Sequence, residues 1–227
     1  MTWLLANLDE VWQLTVSHVA LSIPPIILGF VLSVPIGWIA NRYRASRGTL
    51  LTLSGILYAV PSLPLFFMLP SLLGTKILDP INVVAGMTIY AIALMVRTAA
   101  DALASVSSDV QLNATAVGFS AWRRFWTVDL PLSGPVLLAG LRVVSVSTVS
   151  LVTVGALLGV PSLGFLFING YQVSNQPEII VGIVLTVAIA LVFDGLLVLA
   201  GRALMPWNRR VRVPRRARAA ADTVGVS

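Results

Sequence analysis

An all-α, polytopic membrane protein with about five transmembrane helices is the fold class that this 227-residue sequence predicts. Three observations lead there. The chain is 57% hydrophobic and only 11% charged, whereas a soluble domain carries about 25% charged residues. The apolar residues gather into runs of about 20, the length that a helix needs to cross roughly 30 Å of hydrocarbon. The basic residues collect at alternate ends of those runs, the pattern left when positive charge stays on the cytoplasmic side.

Residues 1–18 read as an external, interfacial N-terminal segment. They carry Asp9 and Glu10 but no Lys or Arg, unlike a cleaved signal peptide, which opens on positive charge. Trp3 and Trp12 suit the headgroup zone. His18, the lone histidine, is expected to be a satisfied interfacial residue. The transmembrane domain spans 19–205. Its first span is about 19–40 and closes on Asn41, Arg42, Tyr43 and Arg44. The second is about 50–73, the third about 81–99, the fourth about 133–158 and the fifth about 179–201, closed by Arg202. Between the last two lies a Gly/Pro/Asn-rich stretch, 159–177, which reads as a loop.

Placing 41–49, 100–131 and the tail on the cytoplasmic side leaves Lys76 as the one exterior residue among 15 Lys and Arg. The N-terminus is therefore expected outside and the C-terminus inside. The tail, 206–227, holds Arg209, Arg210, Arg212, Arg215, Arg216 and Arg218 in a small, polar context that reads as disordered. Beside a membrane such a segment is drawn to anionic lipid, so the net charge of +6 is assigned to topology and lipid, with no nucleic-acid partner. The absence of cysteine excludes disulfides and cysteine–metal sites.

Prolines crowd the first two spans. Each interior proline removes a backbone hydrogen bond, which a membrane tolerates where neighbours or water re-satisfy the freed carbonyl. Tyr58, Pro61, Ser62 and Pro64 are on this ground candidates for lining a pathway beside a broken helix. Two charges fall inside spans, where they are costly. Asp194 precedes Arg202 by eight residues and Arg142 follows Ser133 by nine. At 1.5 Å rise per residue both lie about 12–14 Å into their helices. They are candidates for an ion pair; the alternative is a proton or cation site at Asp194.

The polar break at 109–131 holds the densest information. Gly118 permits a sharp turn between two short helices. Ser120 is a good N-cap for the second. Ala114 and Ala116 are small enough for a partner to approach. Trp122, Phe125 and Trp126 are the side chains that dominate interfaces, and Pro131 is expected to end the helix before the fourth span. The alternative is an amphipathic helix lying on the membrane surface.

Residues 114–131, ATAVGFSAWRRFWTVDLP, resemble the cytoplasmic coupling loop of bacterial ABC-importer permeases. That pattern is EAA, three residues, Gly, nine residues, Ile, any residue, Leu-Pro; here Gly118, Val128, Leu130 and Pro131 fall in register. The EAA triplet falls on Leu112, Asn113 and Ala114, so its glutamate is absent, and the coupling contact is left to shape and to Arg123 and Arg124. Four further segments resemble the osmoprotectant subfamily (glycine betaine, choline, carnitine). They are YAVPSLPLFFMLP at Tyr58–Pro70, LMVRT at Leu94–Thr98, LLGVPSLG at Leu157–Gly164 and VFDGLL at Val192–Leu197.

The resemblance implies a type I ABC importer permease fold with a cytoplasmic coupling helix in a bacterial plasma membrane. Ala114, Gly118, Trp122, Arg123, Arg124, Phe125, Leu130 and Pro131 would couple to a separate ATPase. It further implies a second permease subunit, identical or paralogous, and an extracytoplasmic substrate-binding protein. The chain has no G-x-x-x-x-G-K-[ST] loop, so it is not expected to be an enzyme; ATP and Mg would be bound by the partner, with no cofactor in this chain. Other readings are an ABC permease for another small solute, such as an amino acid, or an ATPase-independent secondary transporter. Five spans with one acidic residue and no clear internal repeat fit the secondary transporter poorly.

Overall fold

The computed structural model describes residues 2–208; the arginine-rich stretch from Arg209 onward lies outside the described residues. Ten α-helices follow one another: α1 (Thr2–Ala6), α2 (Leu8–Arg42), α3 (Arg44–Ala59), α4 (Ser62–Leu73), α5 (Pro80–Ala104), α6 (Ser108–Ala116), α7 (Ala121–Arg124), α8 (Leu130–Val152), α9 (Gly164–Gln172) and α10 (Gln176–Leu204). A π-helical turn, Phe125–Asp129, joins α7 to α8, and 3-10 turns follow at Thr153–Leu158 and Pro206–Asn208. The last of these gives the start of the expected disordered tail a regular turn.

Four helical stretches are long and apolar enough to cross a membrane: α2, α5, Ala121–Leu158 and α10. A fifth span forms if α3 and α4 are taken together, but they meet at 101°. The second span, read over 50–73, is therefore a broken one. Its cause is local. Val60, preceding a proline, is pushed to extended backbone (ψ 128°), and Pro61 continues extended (ψ 137°) before α4 starts at Ser62. The Tyr90 hydroxyl donates to the Val60 carbonyl that the break leaves free.

The first span also differs from expectation. Residues 8–18 are the opening turns of α2 rather than a separate surface segment, and Asp9 and Glu10 lie in its first turn, where carboxylates favour the positive helix end. His18 is fully buried, not interfacial; its Nε2 lies 3.0 Å from the Val149 carbonyl of α8. The 159–177 stretch is largely helical, not a loop. It supplies α9, and the buried Glu178 carboxylate accepts from Asn169 Nδ2 (2.8 Å) and Asn175 Nδ2 (3.1 Å) to close the α9–α10 hairpin.

α2 and α5 form the central pair. They touch through small residues, as membrane helices do where van der Waals packing drives association. Gly29 sits on Ala91, and a Cβ at Gly37 would lie 2.7 Å from Ala99 Cβ. α8 packs on both and α10 packs on α8. One apolar core gathers Leu21, Phe66, Met87 and Val152; another, nearer the α5–α8 connection, gathers Val34, Met95, Leu103, Phe125 and Leu137. α10 leaves most of its apolar surface uncovered by this chain: 11% of its spanning window is buried.

Candidate docking site

α6, in the connection from α5 to α8, stands apart from these cores. None of the residues of α6 is buried. α6 ends in a paired-bond turn: Phe119 N donates to Ala114 O (3.1 Å) and Gly118 N to Thr115 O (3.0 Å), the Schellman arrangement that satisfies a helix's last carbonyls. Gly118 adopts φ +93°, and a Cβ there would meet nothing within 4 Å. Glycine is required by backbone conformation rather than by space. Ser120 then caps α7, its Oγ accepting from Arg123 N at 3.3 Å.

Pro131 does not end this helix. Residues 121–158 run through as one 38-residue helical stretch. Leu130 N donates to Phe125 O, an i to i−5 bond. The widened turn makes room for a proline ring that crowds the carbonyl below it.

The side chains divide into two groups. Trp122 is 61% exposed, and Arg123 and Gly118 are exposed as well. Arg123 places its guanidinium 4.5 Å from the centroid of Phe119. Phe125, expected as a surface anchor, is 3% exposed. It packs in the core beside Leu103 and Leu137 and against Trp38 of α2, 5.5 Å between ring centroids. Ala114, Leu130 and Pro131 are half-buried. Arg124 is engaged within the chain, its Nη1 donating to Thr115 Oγ1 (3.1 Å) and its Nε to Asp129 Oδ2 (3.3 Å). Trp38 and Asp129 have no part in the sequence reading of the loop. Trp38 lies in an apolar span with nothing to mark it, and an acid five residues after an arginine meets it only where the helix widens to a π turn, which the spacing does not announce.

Trp38, Trp122, Phe125 and Trp126 form a continuous aromatic cluster, with neighbouring centroids 5.0–6.0 Å apart. The cluster forms one wall of an apolar groove of about 780 Å³ that reaches across α8 to Leu204 and Trp207.

The pathway candidates come together at the α3–α4 elbow. Tyr58 meets Tyr90 edge-on at 6.3 Å, Pro61 caps α4, and Ser62 and Pro64 lie in its first turn. Pro64 causes no break there, since a first-turn N–H has no helical partner to lose. Arg142 and Asp194 form a bidentate pair between α8 and α10, with Nε to Oδ1 at 2.6 Å and Nη2 to Oδ2 at 2.7 Å. Both carboxylate oxygens are engaged by the cation, the arrangement of a structural pair rather than of a free proton or cation site.

A family model described as "Binding-protein-dependent transport system inner membrane component" matches residues 29–209. The choline transport system permease protein OpuBB of Bacillus subtilis is 27% identical over 90% of this chain and 93% of its own length. The osmoprotectant import permease protein OsmW of Salmonella typhimurium is 28% identical over 86% and 92%. The glycine betaine/carnitine/choline permease OpuCB of B. subtilis is 25% identical over 91% and 94%. Among solved structures, a chain of the MetNI methionine ABC transporter superposes with a TM-score of 0.80 at 18% identity, covering 88% of this chain and 98% of that one. An amino acid ABC transporter chain gives 0.73 at 13% identity, over 89% and 97%. These two share the fold.

Proposed function

The chain belongs to the family of binding-protein-dependent transport system inner membrane components, and on that footing we propose that it carries osmoprotectant quaternary amines, of the glycine betaine, choline, carnitine and proline betaine class, into the cell. As a permease subunit of an ABC importer it is a conduit and not an enzyme. ATP and Mg bind to a separate cytoplasmic ATPase, which docks on the α6–α7 hairpin. A second permease subunit, identical or paralogous, completes the pathway, and an extracytoplasmic binding protein delivers the solute. The N-terminus faces outside and the C-terminus the cytoplasm, as the segregation of basic residues supports.

The observation that carries the docking reading is the hairpin itself. It has no buried residue in α6, a turn that only glycine adopts freely, and an exposed Trp122 beside it. A membrane-surface helix would need an apolar face along its length, and α6, SDVQLNATA, has none. The substrate class is supported by the names of relatives that match over most of their length.

The test is to co-express the chain with a cognate ABC ATPase and binding protein, in a host that lacks osmoprotectant uptake. Retention of the ATPase on the purified permease, and uptake of labelled choline, glycine betaine or carnitine that ends when the ATPase is inactivated, are the expected results. Uptake of amino acids in place of these solutes would replace the substrate class. Uptake that persists without any ATPase would overturn the reading altogether.

A further inference from the structure

α6 is tied to the rest of the chain by little. It packs chiefly on α7 and the π-helical turn, and its own residues are unburied. Apart from the backbone bonds of the Gly118 turn, one side chain makes the hydrogen-bonded link among the described residues. The Arg124 guanidinium donates through Nη1 to Thr115 Oγ1 on α6, and through Nε to Asp129 Oδ2 at the far end of the π turn. The Thr115 hydroxyl spends its own proton on the Gln111 carbonyl at 2.8 Å, so its lone pairs are left to face Arg124. Asp129 is 4% exposed, and its second oxygen has no partner among the described residues. A buried carboxylate of this kind is costly without its cation. α8 begins at the next residue.

Resting on the docking reading above, we propose that Arg124 is a positioning residue that locks the docking helix α6 to the fourth span, and that it transmits the ATPase's movement rather than touching the ATPase. A guanidinium is a rigid planar fork whose donors keep a fixed relation to one another. It therefore holds Thr115 and Asp129 at a set separation across the π turn, the one place between loop and span where the helix ladder is loosened. Docking and transmission then belong to different residues: Trp122 on the exposed side makes contact, and Arg124 on the inner side carries the motion.

The test uses the complete transporter (permease, ATPase and binding protein) in proteoliposomes. Thr115→Val removes the acceptor on α6 while keeping shape and charge; Arg124→Lys keeps the charge but lacks the fork. The readouts are retention of the ATPase, basal ATP hydrolysis, and stimulation of hydrolysis by the binding protein in the presence of choline, glycine betaine or carnitine. Both variants are expected to retain the ATPase and basal hydrolysis as the wild type does. Both should lose stimulation by about tenfold, the scale set by one hydrogen bond to a charged group. Trp122→Ala should behave in the opposite way and lose retention.

Wild-type stimulation in both variants overturns the proposal. Loss of ATPase retention in Arg124→Lys, with Thr115→Val unaffected in every readout, makes Arg124 a docking contact instead. Full retention in Trp122→Ala overturns the docking reading and leaves the Arg124 result to stand alone. If Arg124→Lys fails to accumulate, Thr115→Val, which alters no charge, decides the matter.

Discussion

Gly118 offers the sharpest test of the docking hairpin, because its environment isolates a single physical term. Its φ is +93°, and a side chain there would project into open space. A substitution therefore meets backbone strain and no clash. An L-residue in the left-handed region costs about 1–2 kcal/mol, and a β-branched one belongs at the upper end of the roughly 1–3 kcal/mol range for strained backbones. No buried contact in α6 opposes relaxation, so the strain should be relieved by opening the turn, not by unfolding the spans. Since about 1.4 kcal/mol is a factor of ten in an equilibrium, Gly118→Val should cut the population of the native turn by about ten- to a hundredfold. Asn enters the left-handed region more readily than other residues, so Gly118→Asn should do less harm than Gly118→Ala, although Asn is the larger. Gly55→Ala is the control: it too has open space, but it lies inside α3 with no positive φ. The assay is ATPase retention and uptake, normalised to permease in the membrane. The expected order of activity is Gly, Asn, Ala, Val, with wild-type amounts inserted. An order that follows side-chain size, or wild-type behaviour of Gly118→Val, would refute the argument and restore a surface-lying loop.

Three other expectations follow, the first from the segregation of basic residues and the others from the geometry. A reporter fused after Arg210 should signal cytoplasm and one inserted near Gly170 the exterior; the reverse pair of signals would end the N-out arrangement. Asp194→Asn should lower permease abundance by leaving the Arg142 cation unpaired inside a span, and adding Arg142→Gln should restore part of it, whereas strictly additive losses would dissolve the pair. Tyr90→Phe strips the Val60 carbonyl of its donor at the α3–α4 break. It should destabilise the detergent-purified permease by about 1–3 kcal/mol, read as a lower melting midpoint, and an unchanged midpoint would show that the carbonyl finds another partner.

The spans were legible because one local property, a run of apolar residues of membrane length, decides them. The break at Pro61 was legible for the same kind of reason, since a proline restricts its own backbone and that of the residue before it. Most of the features that sequence reasoning missed depend on distant partners. Phe125 looks like a surface anchor in a polar loop, yet Trp38, Leu103 and Leu137 bury it. His18 looks interfacial, yet the Val149 carbonyl of α8 receives it inside. The Gly- and Asn-rich run before α10 looks like a loop; it becomes α9 because Leu166 packs beside Val149 and Leu163, and because Asn169 and Asn175 find the Glu178 carboxylate.

Pro131 is the correction with the greatest consequence for function. Had it ended the helix, a flexible joint would stand between the docking hairpin and the fourth span, and movement imposed on the hairpin would be absorbed there. Instead the helical stretch from Ala121 to Leu158 is continuous over 38 residues, or about 57 Å at 1.5 Å per residue. Its near end carries the exposed Trp122. Further along, Arg142 grips Asp194 of α10, so α10 moves with it. The soft point nearest the hairpin is the π turn that accommodates the proline, and Arg124 and Asp129 face each other across that turn. A proline that breaks a helix would uncouple the two ends. A proline absorbed in a π turn and braced by an ion pair leaves a lever, with the proposed docking hairpin at one end and the membrane spans at the other.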